Sequence, residues 1–302
     1  MASSQAAVAP GSALAWWLAA RPWSFSISLA PVLAGSALAI LHGHGARFEV
    51  TMAALLAAVL IHAGTNLQND VGDFRRGADG AGRIGPPRAT TEGWLSAAQV
   101  QTVATLCFAA AFIPGSYLVM KGGWPVVAIG LASVAAGAIY TAGPRPVAYS
   151  GLGEAFVFVF FGLVAVGGMY YLHSGTLSSA ALVAGAALGS LGAAVLVINN
   201  LRDIDSDRRI GKNTLAVRRG ARFTVAEYGL LMHLPFALQV GLALHAGAAW
   251  LLAPLVLLPW ATRLSLKVRR APAGDWLNGA LAATAKLGLA FALLLSLGAA
   301  LA

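Results

Sequence analysis

Apolar residues occupy most of this chain in nine long runs, and the short segments between the runs carry most of its charge. The runs lie near residues 24–41, 50–69, 97–119, 124–142, 151–172, 177–201, 223–245, 248–264 and 279–301. An α-helix needs about 20 consecutive apolar residues to cross the hydrocarbon core of a bilayer. The pattern therefore predicts an all-α polytopic membrane protein in which nine transmembrane helices form one domain over residues 21–302.

The first 20 residues differ from the rest because they are small and neutral. They contain no lysine or arginine, so they lack the positively charged start of a cleaved secretory signal. Trp16 and Trp17 are typical of a membrane interface. We expect residues 1–20 to form a frayed, flexible tail that ends in an interfacial stretch.

The composition agrees with a membrane domain and limits the other functions. Hydrophobic residues make up 58% of the 302 residues and charged residues 10%, against about 25% charged residues in an average soluble domain. The net charge of +9 does not indicate nucleic-acid binding, because the basic residues lie in short loops where they orient a protein in the bilayer. The single cysteine, Cys107, lies inside an apolar run, and we expect it to serve as inert packing.

Lysine and arginine are distributed unevenly between the two sides that nine helices define. Of the 20 such residues, 17 fall in the loops of one side, two (Arg47 and Lys121) on the other side, and Lys286 inside the last run. Loops rich in positive charge stay in the cytoplasm. We therefore expect the N-terminus and the loops after the second and sixth helices to be cytoplasmic.

Two acidic motifs end apolar runs on that side. They are Asn66-x-x-x-Asp70-x-x-Asp73 and Asn199-x-x-x-Asp203-x-x-x-Asp207. Residues three or four apart share a helix face, so a helix that continues through each motif places two carboxylates and an amide together, with Asp205 pointing away. Such oxygen ligands suit Mg²⁺. The sequence predicts two metal cages that hold a diphosphate, neither with a fixed cationic partner of its own.

Cationic side chains follow both motifs and suit phosphate binding. Arg83 and Arg88 flank a proline pair in the loop after the first motif, and Lys212 comes five residues after the second. Tyr140 and Arg145 lie in the next loop on the same side. Solvated loops with orienting charges are a simpler interpretation of any one loop, but they do not explain two carboxylate motifs at membrane depth.

Two further polar residues lie in or beside apolar runs. His62 precedes Asn66 by one turn on the same face, and we expect it to be a hydrogen-bonded packing group. Glu154 is an isolated carboxylate for which two roles stay open, pairing with a loop arginine or catalysis. Glycines in the sixth run, such as Gly185 and Gly189, predict close helix packing.

The two motifs resemble those of the UbiA superfamily of intramembrane aromatic prenyltransferases, and the similarity extends from Arg21-Pro22-Trp23 to the last run. The segments Arg83–Arg88 and Gly211–Arg218 resemble the menaquinone branch, the 1,4-dihydroxy-2-naphthoate polyprenyltransferases. The first motif departs from the wider superfamily because its aspartates are three rather than four residues apart. The resemblance implies nine transmembrane helices in a bundle around a cavity that opens laterally to lipid and is capped on the cytoplasmic side.

The resemblance also implies a reaction, a cofactor and site residues. A member of this branch transfers a polyprenyl group from polyprenyl diphosphate to 1,4-dihydroxy-2-naphthoate with Mg²⁺ and loss of CO₂, giving demethylmenaquinol in a bacterial cytoplasmic (inner) membrane. The catalytic candidates are Asp70, Asp73, Asp203, Asp207 and Lys212. The substrate-binding candidates are Asn66, Asn69, Arg83, Arg88, Tyr140, Arg145, Asn199 and Arg202. The metal-binding candidates are Asn66, Asp70, Asp73, Asn199, Asp203 and Asp207.

Two alternatives stay open. The acceptor could be another aromatic compound, such as 4-hydroxybenzoate or homogentisate. A cation-coupled or proton-coupled transporter also places carboxylates in a membrane bundle. Transporter sites, however, lie near the bilayer midplane on broken helices, whereas these motifs lie at helix ends beside cationic loops.

Overall fold

The computed structural model describes residues 8–77, 84–141, 143–144 and 146–302. Within these residues every regular element is helical and no β-strand is present, so the predicted all-α class is confirmed. The α-helices are α1 (Ala13–Ala20), α2 (Ser26–Leu41), α3 (Phe48–Arg75), α4 (Ala97–Gly122), α5 (Trp124–Ile139), α6 (Gly153–Phe158), α7 (Ala165–Ser174), α8 (Ser179–Arg202), α9 (Ile204–Arg209), α10 (Leu215–Ala246), α11 (Leu258–Arg270) and α12 (Trp276–Leu301). A π-helical segment, Val159–Val164, joins α6 to α7, and a 3₁₀ segment, Ala249–Leu257, leads into α11.

Seven of the described helical segments are long and apolar enough to cross a membrane. The segments Ala13–Ser24 and Ser26–Leu41 qualify together as an eighth, although they are bent by 45°. Helix α5 has 16 residues, which gives about 24 Å at 1.5 Å per residue, less than the hydrocarbon thickness. The predicted count of nine transmembrane helices is therefore not confirmed.

The bend before α2 positions α1 against the bundle. Arg21 has a φ of +53°, which is uncommon for a residue with a side chain, and Pro22 begins a 3₁₀ turn directly after it. Ala15 and Ala19 of α1 are buried and pack with Leu67 of α3. The expectation of a frayed segment is therefore wrong for residues 13–20, because small side chains on α1 let it lie close to α3.

Helix α8 runs through the centre of the bundle, where it packs against α2, α10 and α12 and against the continuous helical segment Gly153–Ser174 that contains α6 and α7. Glycines allow α8 to approach that segment closely. A Cβ atom on Gly162 would lie 2.4 Å from the carbonyl oxygen of Gly185 and 2.6 Å from the Cα of Gly189, distances that no real side chain tolerates. The predicted close packing at these glycines is confirmed, and it holds the helix that ends in the second motif.

A cavity of about 900 Å³ lies within the bundle. Its lining residues come from α2, α3, α4, α5, α8 and the segment from α6 to α7. At one end it is lined by Asp73 and Lys212, and at the other by apolar side chains such as Ala54 and Leu172. Ala54 and Asp73 are 19 residues apart on α3, about 28 Å along the helix axis. The cavity therefore runs from a polar end to an apolar end over most of the thickness of a bilayer.

Candidate active site

The two acidic motifs meet at the polar end of this cavity. Motif one ends α3, and motif two spans the junction of α8 and α9. Eight of the sequence-predicted site residues line the cavity: Asn66, Asn69, Asp73, Arg88, Tyr140, Asn199, Arg202 and Lys212. Arg83 and Arg145 lie outside the described residues. The structure therefore brings most of the predicted site residues together around one cavity, although they lie far apart in the sequence.

Asp73 is the carboxylate of the first motif that faces the cavity. Its Oδ2 accepts a hydrogen bond from Arg88 at 3.1 Å, and its Oδ1 accepts one from the Tyr149 hydroxyl at 3.1 Å. Asp73 and Arg88 are both buried. The prediction that the cluster has no cationic partner is wrong here, because Arg88, in the segment before α4, lies against the end of α3.

Asp70 is not among the residues that line the cavity, and it anchors the segment that contains Ala89 and Thr90. It is 1% exposed, and its oxygens accept hydrogen bonds from the backbone N–H of Ala89 (3.1 Å) and Thr90 (3.3 Å) and from the Thr90 hydroxyl. Side chains three residues apart on a helix point in directions that differ by about 60°. This difference lets Asp70 bond to Ala89 and Thr90 while Asp73 lines the cavity. The structure does not group Asp70 with Asp73 at the cavity, and a metal-binding role for Asp70 stays a prediction.

The second motif contains a break in the helix. Helix α8 ends at Arg202, Asp203 has φ −98° and ψ 8°, and α9 begins at Ile204. The prediction of an uninterrupted helix is therefore wrong, although Asp203 N–H still bonds to Asn199 O (3.2 Å) and Asp207 N–H to Asp203 O (2.8 Å). These bonds preserve the helical register across the break.

The three carboxylates of this motif have different surroundings. Asp203 and Asp207 are 8% and 5% exposed, whereas the side chain of Asp205 is 85% exposed and pairs with Arg208 at 3.4 Å. The predicted separation of Asp205 from the other two is confirmed. An exposed pair of this kind contributes little to stability.

Arg202 is held by four hydrogen bonds at the cavity wall. Its Nε and Nη2 donate to the two carboxylate oxygens of Asp203 at 2.8 and 2.5 Å. Nη1 donates to Asn278 of α12 at 2.7 Å, and Nη2 also donates to Asn199 at 2.8 Å. Neighbours in a regular helix do not face each other, so the break at Asp203 is what allows this pair to form. Asp203 thus also has a fixed cationic partner, contrary to expectation.

Lys212 is the cation around which the two motifs converge. Its Nζ lies 3.5 Å from Asp207 Oδ1, and it interacts electrostatically with Asp73 and Asp203. Burial acts to lower the pKa of Lys212, but the three carboxylates outweigh burial and raise that pKa above its usual value. Lys212 is therefore an ammonium ion at neutral pH.

Asp207 retains one carboxylate oxygen for another ligand. Its Oδ2 is buried and has no hydrogen-bond partner among the described residues. Burial raises the pKa of Asp207 to about 6, while Lys212 acts to lower it. A buried carboxylate oxygen without a partner is unfavourable, and a cation at this position would remove that cost.

Tyr149 is a site residue that the sequence analysis missed. Besides its hydrogen bond to Asp73, its ring lies 5.2 Å from the Arg76 guanidinium and 5.5 Å from Lys212 Nζ. Burial, followed by the charge of Asp73, raises the pKa of the Tyr149 hydroxyl, so it stays a proton donor. Its place in the loop of Tyr140 and Arg145 was a signal that could have found it.

Other polar contacts hold the loops around the site. Asn69 accepts a hydrogen bond from Thr141 at 2.8 Å, and Arg76 donates to the carbonyl oxygens of Thr141 (2.6 Å) and Gly143 (2.7 Å). Asn66 donates to Ala20 O at 2.9 Å. These bonds tie α3 to the loops that precede α2 and follow α5.

His62 and Glu154 also line the cavity. His62 forms hydrogen bonds with Ser24 (3.0 Å) and Ser28 (2.5 Å), so the prediction of a hydrogen-bonded packing group is confirmed. Glu154 accepts a hydrogen bond from Asn200 at 2.7 Å. That partner is an amide of α8 and not the loop arginine that one of the two open roles required.

The site has the oxygen donors that Mg²⁺ prefers but not a preformed cage. Among the described residues, no three His, Cys, Asp or Glu side chains are grouped to hold a metal ion. Asp207 nevertheless lies 3.5 Å from Lys212, Asp73 and Asp203 interact with Lys212 electrostatically, and Oδ2 of Asp207 has no hydrogen-bond partner among the described residues. Mg²⁺ commonly takes one or two protein carboxylates and completes its shell with phosphate and water, which fits this donor set.

Comparison with known proteins agrees with the geometry. A model of the UbiA prenyltransferase family matches residues 28–278. The chain is 36% identical over 242 residues to the 1,4-dihydroxy-2-naphthoate octaprenyltransferase of Haemophilus influenzae, which covers 78% of this chain and 79% of that protein. It is 36% identical over 260 residues to the protein of the same name from Mycobacterium tuberculosis, covering 86% and 87%.

The fold is similar to that of a UbiA homologue from Archaeoglobus fulgidus whose structure contains DMAPP and Mg²⁺. The TM-score is 0.65 at 15% sequence identity, and the match covers 93% of this chain and 99% of that chain. At that identity the comparison supports the fold alone.

Proposed function

This chain belongs to the UbiA prenyltransferase family, and we propose that it transfers a polyprenyl group from its diphosphate to 1,4-dihydroxy-2-naphthoate. The transfer class follows from family membership, and the acceptor from relatives that are named for it. The observation that carries the proposal is the cavity, which joins a cluster of carboxylates and cations to a long apolar interior. A prenyl diphosphate has the same division into a charged head and an apolar tail.

The cations of the site bind the diphosphate. Arg88 and Lys212 line the cavity and are paired with Asp73 and Asp207. As the head group enters, these two cations exchange a carboxylate oxygen for a phosphate oxygen, which guanidinium and ammonium groups bind well. The exchange would free one carboxylate oxygen each of Asp73 and Asp207 to hold Mg²⁺, whereas Asp203 and Asn199 stay bonded to Arg202. When bound, Mg²⁺ supplies positive charge against the leaving diphosphate.

The apolar wall shelters the reactive carbon. Cleavage of the C–O bond sends its electron pair to the diphosphate and leaves an allylic cation. Tyr140 and Phe156 form a tilted pair with ring centroids 5.7 Å apart, and Phe156 and Phe160 a second tilted pair with centroids 4.6 Å apart. All three line the cavity, where their faces stabilise a cation and exclude water from it. The electron-rich naphthoate ring then attacks, and its carboxylate is lost as CO₂.

The membrane arrangement is part of the same proposal. Helix α5 would serve as the ninth span if the bent pair Ala13–Ser24 and Ser26–Leu41 counts as the eighth. The charge distribution of the loops supports an N-terminus and a site on the cytoplasmic side, and we propose that the membrane is the inner membrane of a bacterium. The cavity would open sideways to lipid, so that a long prenyl tail can extend into the bilayer.

The test is a product analysis by mass spectrometry. Membranes containing the full chain receive a polyprenyl diphosphate and, separately, 1,4-dihydroxy-2-naphthoate, 4-hydroxybenzoate or homogentisate. We expect a prenylated, decarboxylated product from the naphthoate and none from 4-hydroxybenzoate. Preferential product from another acceptor would overturn the proposed acceptor, and ion flux in proteoliposomes without any diphosphate release would overturn prenyl transfer itself.

A further inference from the structure

Glu154 is a buried carboxylate on the cavity wall that neither acidic motif contains. It lies in the first turn of α6, is 7% exposed and lines the cavity. Oε1 accepts the hydrogen bond from Asn200, but Oε2 is buried with no hydrogen-bond partner in the described part of the chain. Because a buried carboxylate oxygen without a partner is unfavourable, its presence at a cavity wall indicates a ligand that donates a hydrogen bond.

Asn200 links Glu154 to the diphosphate end of the site. The two consecutive asparagines of α8 divide their contacts: Asn199 accepts from Arg202, whereas Asn200 donates to Glu154. Glu154 is therefore bonded to the residue that directly follows Asn199 of the second motif. An acceptor ring that reaches the reactive carbon of the prenyl group must lie in this part of the cavity.

The neighbouring wall is aromatic and suits a flat ring. Tyr140 and Phe156 lie there with ring centroids 5.7 Å apart and planes inclined by 41°. A Cβ atom on Gly153 would lie 3.3 Å from the Tyr140 hydroxyl and 3.1 Å from Leu196, so the missing side chain lets Tyr140 lie close to the backbone beside Glu154. Glu154 and these two aromatic rings therefore line the same cavity.

We propose that Glu154 is a catalytic residue that takes the proton of the acceptor's ring hydroxyl as the new C–C bond forms. The inference rests on the proposed function. As the carboxylate-bearing ring carbon attacks the allylic cation, the O–H electrons become the π bond of a ring carbonyl and the proton moves to Glu154. Loss of CO₂ then returns its bonding electrons to the ring, and the carbonyl oxygen takes the proton back. The carboxylate is regenerated, so no external acid or base is consumed.

Glu227 of α10 provides a matched comparison. It also has a buried Oε2 without a hydrogen-bond partner among the described residues, and it interacts electrostatically with Glu154. It does not line the cavity. A substitution of Glu227 therefore removes a similar carboxyl group from the membrane without touching the acceptor.

The experiment compares wild type, Glu154→Gln, Glu154→Asp and Glu227→Gln as full chains in lipid nanodiscs. Each is assayed with a prenyl diphosphate and either 1,4-dihydroxy-2-naphthoate or a ring-halogenated analogue whose hydroxyl is more acidic. Loss of a general base typically reduces turnover by roughly 10²- to 10⁴-fold. We expect a loss in that range for Glu154→Gln, with KM for the prenyl diphosphate changed less than about threefold, and a change below about threefold for Glu227→Gln.

The acceptor series separates proton transfer from a structural role. Since a more acidic hydroxyl depends less on a base, the loss caused by Glu154→Gln should shrink with the halogenated acceptor, and Glu154→Asp should retain more activity than Glu154→Gln. Equal losses with both acceptors, a loss below about threefold, or no advantage of Asp over Gln would overturn the role of Glu154. If wild type makes no product from either naphthoate, the proposed function itself has failed.

Discussion

Arg202 binds both carboxylate oxygens of Asp203, the residue that follows it in the chain, at 2.8 and 2.5 Å. This pair forms because α8 ends between the two residues. The guanidinium of Arg202 thereby neutralises the negative charge of Asp203 in the second motif. Asn199 and Asn278 complete the shell around the guanidinium. The geometry is set by the planar fork of arginine, which lysine cannot reproduce.

Arg202→Lys should therefore reduce turnover even though it preserves the charge. The three N–H donors of lysine radiate from a single nitrogen and cannot reproduce the planar fork that binds both oxygens of Asp203 while reaching Asn199 and Asn278. We expect a loss of at least about tenfold, the equivalent of one charge-assisted hydrogen bond. The control is Arg208→Lys, whose partner Asp205 is exposed and whose turnover should stay within about twofold. Similar activities for the two variants would contradict this account.

The aspartates of the second motif should be unequal. Asp203→Asn and Asp207→Asn each remove a buried negative charge from the diphosphate site, and we expect losses on the order of 10²-fold, as for removal of one preorganised electrostatic contact. Asp205→Asn should cost less than about tenfold because that carboxylate is solvated. Turnover is normalised to protein in the membrane. Equally severe losses at all three positions would show that Asp205 also takes part.

Tyr149→Phe should weaken the site through Asp73. The substitution deletes the 3.1 Å hydrogen bond to Asp73 and keeps the ring beside Arg76 and Lys212. A hydrogen bond to a charged group is worth a factor of roughly ten or more, so we expect that loss in kcat/KM for the prenyl diphosphate. Tyr117→Phe is the control, since Tyr117 contacts Lys121 at the C-terminal end of α4 and should be unaffected. Wild-type kinetics for Tyr149→Phe would exclude a role for its hydroxyl.

Metal removal should abolish activity reversibly. The site has oxygen donors, and the partnerless Oδ2 of Asp207 leaves a position for a cation. We expect turnover to stop in excess EDTA and to return with Mg²⁺, measured as diphosphate release. Ca²⁺ at the same concentration serves as a comparison because it prefers a larger, more flexible shell. Undiminished turnover after exhaustive chelation would rule out the metal.

The depth of the cavity should limit the length of the prenyl tail. Ala57 lines the cavity 16 residues before Asp73 on α3, about 24 Å from the diphosphate end. Ala57→Trp should reduce turnover with a long polyprenyl diphosphate more than with geranyl diphosphate. Leu56→Trp is the matched control, because Leu56 is 53% exposed on the outer face of the same helix. An equal effect of Ala57→Trp on both donors would show that the tail leaves the cavity before reaching Ala57.

Local patterns along the chain were enough to predict several parts of this protein. Apolar runs give the helices because a membrane span must satisfy its own backbone hydrogen bonds, and the spacing within Asn199-x-x-x-Asp203-x-x-x-Asp207 separates Asp205 from its neighbours. The convergence of the two motifs and of Lys212 was also predicted, since carboxylates at the ends of membrane helices need a ligand or partner. The number of spans was not determined, because α5 is short and α1 and α2 meet at a bend.

The pairing of the charges depends on contacts between distant parts of the chain. Periodicity gives the face of a helix on which Asp70 and Asp73 lie, but not that Thr90 bonds to Asp70 and Arg88 to Asp73. The contact of Arg202 with Asn278 spans 76 residues, and Tyr149 reaches Asp73 across the same separation. Such contacts depend on how loops and distant helices pack. The free energy of burying a charge depends on whether a partner compensates it, and local sequence patterns do not identify that partner.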